Sequence, residues 1–179
     1  MEMILIGFMA SGKTTISQLL GQKLALPVHD LDDEIEARSK LRIPQIFRQY
    51  GETYFRDLEA DTLVATIHRP GILATGGGTL LRVRNRQMLR ASGAKIILLQ
   101  AAADKIYQRL QKRSNRPLAT GLSVQAVADL QANRSAAYEG CADITINTGE
   151  LTVQQTVERI ITELGNLCQG LDLFGHRPD

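Results

Sequence analysis

The chain has no tryptophan and few aromatic residues of any kind, 4% of its 179 residues. Its core therefore has to be aliphatic, assembled from Leu, Ile, Val and Ala. Cysteine is almost absent: Cys141 and Cys168 are the only two, which fits neither a metal-binding spacing nor a disulfide framework and points to a reducing compartment. Charge of one sign is also lacking. A formal net charge of +2 provides no strong field for DNA, RNA or an anionic membrane. No apolar run is long enough to span a bilayer. The start, Met1-Glu2-Met3-Ile4-Leu5-Ile6-Gly7, has neither the basic segment nor the long apolar segment of a signal peptide. A cytoplasmic protein with small-molecule partners, and no nucleic acid or membrane among them, is the expectation.

What is present is ordinary globular material: 44% hydrophobic and 22% charged residues, enough chain for one domain and too little for two. Short apolar runs alternate with longer amphipathic ones, the pattern of βαβ units around a parallel sheet. Strands are expected at Met3–Ile6, Val28–Leu31, Ile72–Thr75, Lys95–Leu99 and Ile144–Asn147. Four of these are continuous apolar runs, as strands covered on both faces require. Helices are expected at Thr14–Leu24, Thr53–Ile67, Ala103–Lys112, Val124–Tyr138 and Val153–Leu164, where apolar residues recur at helical spacing. Two stretches break the pattern. Asp33–Tyr50 is mixed and polar, with Pro44 as a helix start, and 112–122 is basic and aperiodic, a mobile loop. The tail, residues 165–179, is rich in glycine and expected to be loosely packed.

Gly7-Phe8-Met9-Ala10-Ser11-Gly12-Lys13-Thr14 fits G-x-x-x-x-G-K-[ST], with an apolar strand before it and an amphipathic helix after it. Backbone N–H groups of such a loop turn inward around phosphate oxygens, and the following helix adds its positive end. Lys13 supplies charge to the β- and γ-phosphates and Thr14 a hydroxyl to magnesium. Gly7, Ala10, Ser11, Gly12, Lys13, Thr14 and Thr15 are the expected nucleotide-binding set. The motif by itself indicates a nucleotide phosphate binder and does not separate a kinase from an ATPase, a GTPase or a sensing module.

The second strand ends in His29-Asp30-Leu31-Asp32-Asp33. Residues two apart in a strand share a face, so Asp30 and Asp32 are expected to project together at the carboxyl edge of the sheet, where ligands bind in open α/β folds. One carboxylate would serve the magnesium shell and the other an acceptor hydroxyl. Asp33 is expected to cap a helix beginning nearby. His29 reads as a structural neighbour, and His68 and His176 receive no role.

With these residues in hand the chain resembles the shikimate kinases. Gly51-Glu52-Thr53-Tyr54-Phe55-Arg56-Asp57-Leu58-Glu59 matches that family's G-E-x-x-F-R-x-x-E, Gly76-Gly77-Gly78 its glycine triplet, and Arg116-Pro117-Leu118 its R-P-L. Arg134-x-x-x-Tyr138 followed by Ala142-Asp143 matches the segment before the last strand, and the D-x-D pair lies at the family's spacing after the phosphate-loop threonine. The resemblance runs from Met3 to Leu164 in unbroken order.

The resemblance implies a three-layer α/β P-loop kinase fold: a five-stranded parallel sheet flanked by helices. A small substrate-binding helical insert is expected at about 32–60 and a mobile lid at about 112–122. It implies ATP-dependent phosphorylation of the 3-hydroxyl of shikimate, on the route to chorismate, by a monomer using Mg²⁺. Arg56 and Arg134 stand at its carboxylate-binding positions, suited to the task because a guanidinium fork pairs with a carboxylate through two hydrogen bonds. Gly77 and Gly78 would add backbone donors, Asp32 would hold substrate hydroxyls, and Asp30 would act on magnesium through water. Arg116 in the lid would neutralise charge in the transfer, and Arg109, or its neighbour Lys112 or Arg113, would stack on adenine. Arg56 could equally pair with Glu59 along a helix, and such a pair would orient it. Ala10 departs from the family's usual glycine, and the loop is expected to tolerate it provided Ala10 avoids positive φ. Asn133 stands where a glutamate is frequent. The alternatives are another small-acid kinase, such as a gluconate kinase, and a non-catalytic nucleotide-binding regulator.

Overall fold

The computed structural model describes residues 1–112 and 123–168. Five strands, β1 (Met3–Ile6), β2 (Val28–Asp30), β3 (Ile72–Ala74), β4 (Lys95–Gln100) and β5 (Ile144–Asn147), form a parallel sheet in the order β2-β3-β1-β4-β5. The register sets Ile4 of β1 between Leu73 of β3 and Ile96 of β4. The helices are α1 (Lys13–Leu24), α2 (Leu31–Ser39), α3 (Ile43–Thr66), α4 (Val83–Ala91), α5 (Ala103–Gln111), α6 (Val124–Glu139) and α7 (Val153–Cys168), and a 3-10 turn covers Thr79–Leu81.

Alternation along the strands sorts the core into two layers. Ile4, Ile6, Leu73, Ile96 and Leu98 face one way, onto Leu31 and Ile35 of α2, Phe55 and Leu63 of α3, and Leu89 of α4. Met3, Leu5, Ile72, Ile97 and Leu99 face the other way, onto Ile16 and Leu20 of α1 and Val157 and Ile160 of α7. Each fully buried Leu or Ile contributes about 1.5–3 kcal/mol from removal of apolar surface. β5 lies at the sheet edge and alternates buried Ile144 and Ile146 with exposed Thr145 and Asn147. A third cluster sits beyond the carboxyl end of β1, where Phe8 and Ala10 pack on Ile106 and Leu110 of α5 and Val127 of α6.

This topology positions a site. β1 lies between β3 and β4; the chain leaves β1 for the β2 side and later returns across it to β4. The connections diverge at the carboxyl end of β1, which opens the crevice where open α/β sheets hold ligands.

All five expected strands are present to within one residue at each end. The helices differ more. β2 stops at Asp30, and Leu31 opens α2, two residues before the helix start expected near Asp33. α3 begins at Ile43 with Pro44 in its first turn and runs to Thr66, but Gly51 (φ 78, ψ 178) interrupts it, so that the expected helix from Thr53 is its second segment. α7 continues through Gly165 to Cys168, so the first part of the expected loose tail is helical. The rest of that tail, 169–179, and the proposed lid residues 113–122 with Arg116 lie outside the described residues.

Candidate active site

The phosphate loop joins β1 to α1. α1 has no side-chain cap at Gly12, which leaves the donors of its first turn to water or an anion. Lys13 folds back over the loop, its Nζ donating to the carbonyls of Gly7 (2.7 Å) and Phe8 (2.9 Å). Ala10 has φ 59. The proviso that it avoid positive φ is therefore not met: the turn takes the left-handed conformation, and this chain adopts it with alanine.

Thr14 and the β2–α2 joint come next. The Thr14 hydroxyl donates to Asp30 Oδ2 at 2.6 Å, and Asp30 Oδ1 accepts from the backbone N–H of Asp32 at 3.0 Å. Asp30, with extended backbone, is thus the N-cap of α2. That corrects two readings. The cap is Asp30 rather than Asp33, and Asp32 lies in the first turn of a helix rather than two residues further along a strand. The two carboxylates still face one pocket, together with Lys13, Thr14 and Gly77, because the capping turn brings the helix start round to the sheet edge. Thr14 and Asp30 offer hard oxygen donors beside the phosphate cradle, which suits Mg²⁺. Among the described residues no cluster of three or more His, Cys, Asp or Glu could hold a metal unaided. A magnesium ion here would complete its shell with water and phosphate, as Mg²⁺ ordinarily does.

The glycine triplet forms the opposite wall. A side chain on Gly77 would meet the Met9 backbone nitrogen at 3.0 Å, and one on Gly78 would meet the Arg56 guanidinium at 2.5 Å. Only glycine allows the segment between phosphate loop and arginine to come so close on both sides. Gly76 lies against Asp32 Oδ1 and Glu59 Oε1. Arg56 reaches this wall from the second segment of α3, paired with buried Glu59 at 2.9 Å, while Glu59 also accepts from the Thr79 hydroxyl at 2.9 Å. Arg134 comes from α6: it donates to the Gly77 carbonyl at 3.3 Å and its guanidinium lies 5.3 Å from the centre of the Phe8 ring. Tyr138, one turn on, donates to the same carbonyl at 2.5 Å. Burial pushes the Tyr138 phenol up from its ordinary 10.0, against the pull of Arg134, so it remains a neutral donor.

A cleft of about 280 Å³ extends from the loop past Ala10, Gly12 and Thr15 toward Arg109, Thr148 and Leu151. Arg109 is held there by the Thr148 carbonyl (2.6 Å) and hydroxyl (3.1 Å).

Of the residues singled out from the sequence, Lys13, Thr14, Thr15, Ala10, Gly12, Asp30, Asp32 and Gly77 line one pocket. Ser11 and Arg109 line the adjoining cleft, Gly7 anchors Lys13, and Arg56, Gly78 and Arg134 meet at the triplet. Arg116 lies outside the described residues. Two contributors had no assigned role: Phe8 beneath Arg134, and Tyr138. Tyr138 stands four residues after Arg134, a spacing that places both on one helix face, and that was the available signal. His29 is tied to the Pro70 carbonyl (3.0 Å) and to Glu34 (3.4 Å), away from these groups.

Residues 9–165 match the family model for shikimate kinase. The shikimate kinase of Limosilactobacillus fermentum is 48% identical over 92% of this chain and 95% of its own length. That of Macrococcus caseolyticus is 40% identical over 93% and 100%. Among solved structures, shikimate kinase from Acinetobacter baumannii in complex with shikimate aligns with a TM-score of 0.86 at 30% identity, covering 96% of this chain and 95% of that one. A gluconokinase from Sinorhizobium meliloti shares the fold alone: its TM-score is 0.59 at 12% identity, over 98% of this chain and 97% of that one.

Proposed function

The chain belongs to the shikimate kinase family, and from that premise we propose that it transfers the γ-phosphoryl group of ATP to the 3-hydroxyl of shikimate, giving ADP and shikimate 3-phosphate on the route to chorismate. What supports this most is one convergence: Asp32, Arg56 and Arg134 meet at the glycine triplet, which itself rests on the phosphate loop. A polyol carrying a carboxylate needs that combination, two guanidinium groups for the acid and a carboxylate for the hydroxyls.

In this mechanism Lys13 exchanges the carbonyls of Gly7 and Phe8 for the β- and γ-phosphate oxygens. Thr14, and Asp30 through water, would hold Mg²⁺, whose charge would offset that of the phosphates. Arg56, Arg134 and the Gly77–Gly78 backbone fix the shikimate carboxylate. Asp32 accepts the hydrogen bond of the attacking hydroxyl and aims its oxygen at phosphorus. Because the transition state is loose, alignment and charge neutralisation carry the rate, and the proton need not leave early. Arg116 adds positive charge at the transferred group, and Arg109 forms one wall of the adenine site. A monomer working in the reducing, ATP-supplied cytoplasm completes this reading, and the free buried thiol of Cys141 is compatible with a reducing compartment. Among the described residues no helix is long and apolar enough to cross a membrane.

The test is ADP release measured with shikimate, with gluconate and with neither, each with and without Mg²⁺. Release that requires both shikimate and Mg²⁺ is expected. Release with gluconate instead would transfer the assignment to the other acid. Tight ATP binding without phosphorylation of either acid would make the protein a nucleotide-binding regulator.

A further inference from the structure

The mechanism above gives no task to Tyr138, yet its hydroxyl makes the shortest contact to the glycine wall. The ring is buried in the core beneath the sheet, 6% exposed, so packing fixes the direction of the hydroxyl. It donates at 2.5 Å to the Gly77 carbonyl, which Arg134 approaches at 3.3 Å. The two groups therefore share one acceptor, and the tyrosine holds it more closely. The peptide that follows is trans, as are all peptides among the described residues, so the Gly77 carbonyl and the Gly78 N–H point in opposite directions. Fixing the carbonyl fixes the aim of that N–H. The same peptide is wedged between Met9 on one side and Arg56 on the other.

We propose that Tyr138 is a positioning residue for recognition of the substrate carboxylate: by satisfying the Gly77 carbonyl it releases the Arg134 guanidinium for the acid and locks the Gly78 N–H in place. Without the hydroxyl, a half-buried carbonyl is left with Arg134 as its side-chain partner, and a carbonyl deprived of a donor competes strongly for the one that remains. The arginine is then held back from the carboxylate. The proposal rests on the reading that Arg134 receives that carboxylate.

The experiment compares Tyr138→Phe, which keeps the ring and its packing, with the unmodified enzyme, each in the presence and absence of Arg134→Ala. The loss of one neutral hydrogen bond predicts a rise in the KM for shikimate on the order of 3- to 10-fold. The KM for ATP and kcat should stay within about twofold, since neither involves the carboxylate arm. Combined with Arg134→Ala, Tyr138→Phe should add less than about twofold, because the two act through one unit. Tyr138→Met, which also lacks the hydroxyl, should show the same selectivity. A shikimate analogue without the carboxylate should bind Tyr138→Phe and the unmodified enzyme equally. An unchanged KM for shikimate in Tyr138→Phe would overturn the proposal, as would equal rises for both substrates or an undiminished effect alongside Arg134→Ala. If Arg134→Ala alone leaves the KM for shikimate intact, the carboxylate assignment falls, and this inference with it.

Discussion

Ala10 shows how opposing terms balance at a single residue. Its left-handed backbone costs an alanine about 1–2 kcal/mol relative to glycine. Against that, its methyl is buried among Phe8, Ile106, Leu110 and Val127, worth about 0.8 kcal/mol, and alanine restricts the unfolded chain by about 0.4–1 kcal/mol. The sums nearly cancel. Ala10→Gly is therefore expected to change unfolding free energy by less than about 1 kcal/mol in denaturant titration. Ala10→Val adds a β-branched side chain at positive φ in a filled cluster; it should cost more than about 2 kcal/mol and raise the KM for ATP. A large gain in stability from Ala10→Gly would show that the methyl contributes nothing to holding the loop against α5 and α6.

At the scale of elements, the joint between β2 and α2 carries two duties on one side chain. Asp30 caps α2 through one oxygen and receives Thr14 through the other. The duties can be separated, since asparagine caps a helix nearly as well as aspartate but brings no negative charge to a cation. Asp30→Asn should keep the thermal midpoint close to that of the unmodified protein while lowering turnover at any magnesium concentration. Asp30→Ala should lose the same activity and about 1 kcal/mol of stability as well. If Asp30→Asn retains full turnover, Asp30 is a cap and no more. The same joint shows what could be read from the sequence. The apolar strands were legible because burial on both faces leaves a continuous run, and the phosphate loop because its residue types are dictated atom by atom. α2 was legible only as a helix start near Asp33 and not in its extent, since only Leu31 and Ile35 are buried in it. α4 was not legible at all, since Asn85 and Leu89 are its buried pair: two inward residues make no stripe. Asp30 and Asp32 were placed on one face for the wrong geometric reason, and Asp30 acts as cap because the strand ends one residue early. Glu59 was visible as a helical partner of Arg56, but its second bond to Thr79 depends on the glycine triplet folding back, which no local pattern encodes.

For the whole molecule, Tyr138 and Cys141 connect the site to global stability. Both lie in the core layer formed by Ile4, Ile6, Leu73 and Leu98 against the helices, so neither can ionise fully without disturbing packing that the sheet shares. Burial raises the Tyr138 phenol above 10.0 and the Cys141 thiol above 9.0, with nearby arginines opposing in both cases. A group whose folded pKa is raised stays protonated in the native state at a pH where the unfolded chain has already released its proton. Unfolding then releases protons, and stability falls as pH rises. The contribution is complete below about pH 9, starts to fall as the unfolded thiol ionises, falls further above pH 10 as the unfolded phenol does, and is exhausted past the folded values. Denaturant midpoints measured from pH 8 to 11 should decline accordingly. Cys141→Ala should flatten the first part of the decline and Tyr138→Phe the second. Ionised Tyr138 would also present a phenolate to the Gly77 carbonyl in place of a donor, so the KM for shikimate should climb at high pH in the unmodified enzyme while the molecule is still folded. In Tyr138→Phe that climb should be absent, and finding it undiminished there would assign the alkaline limb to another group.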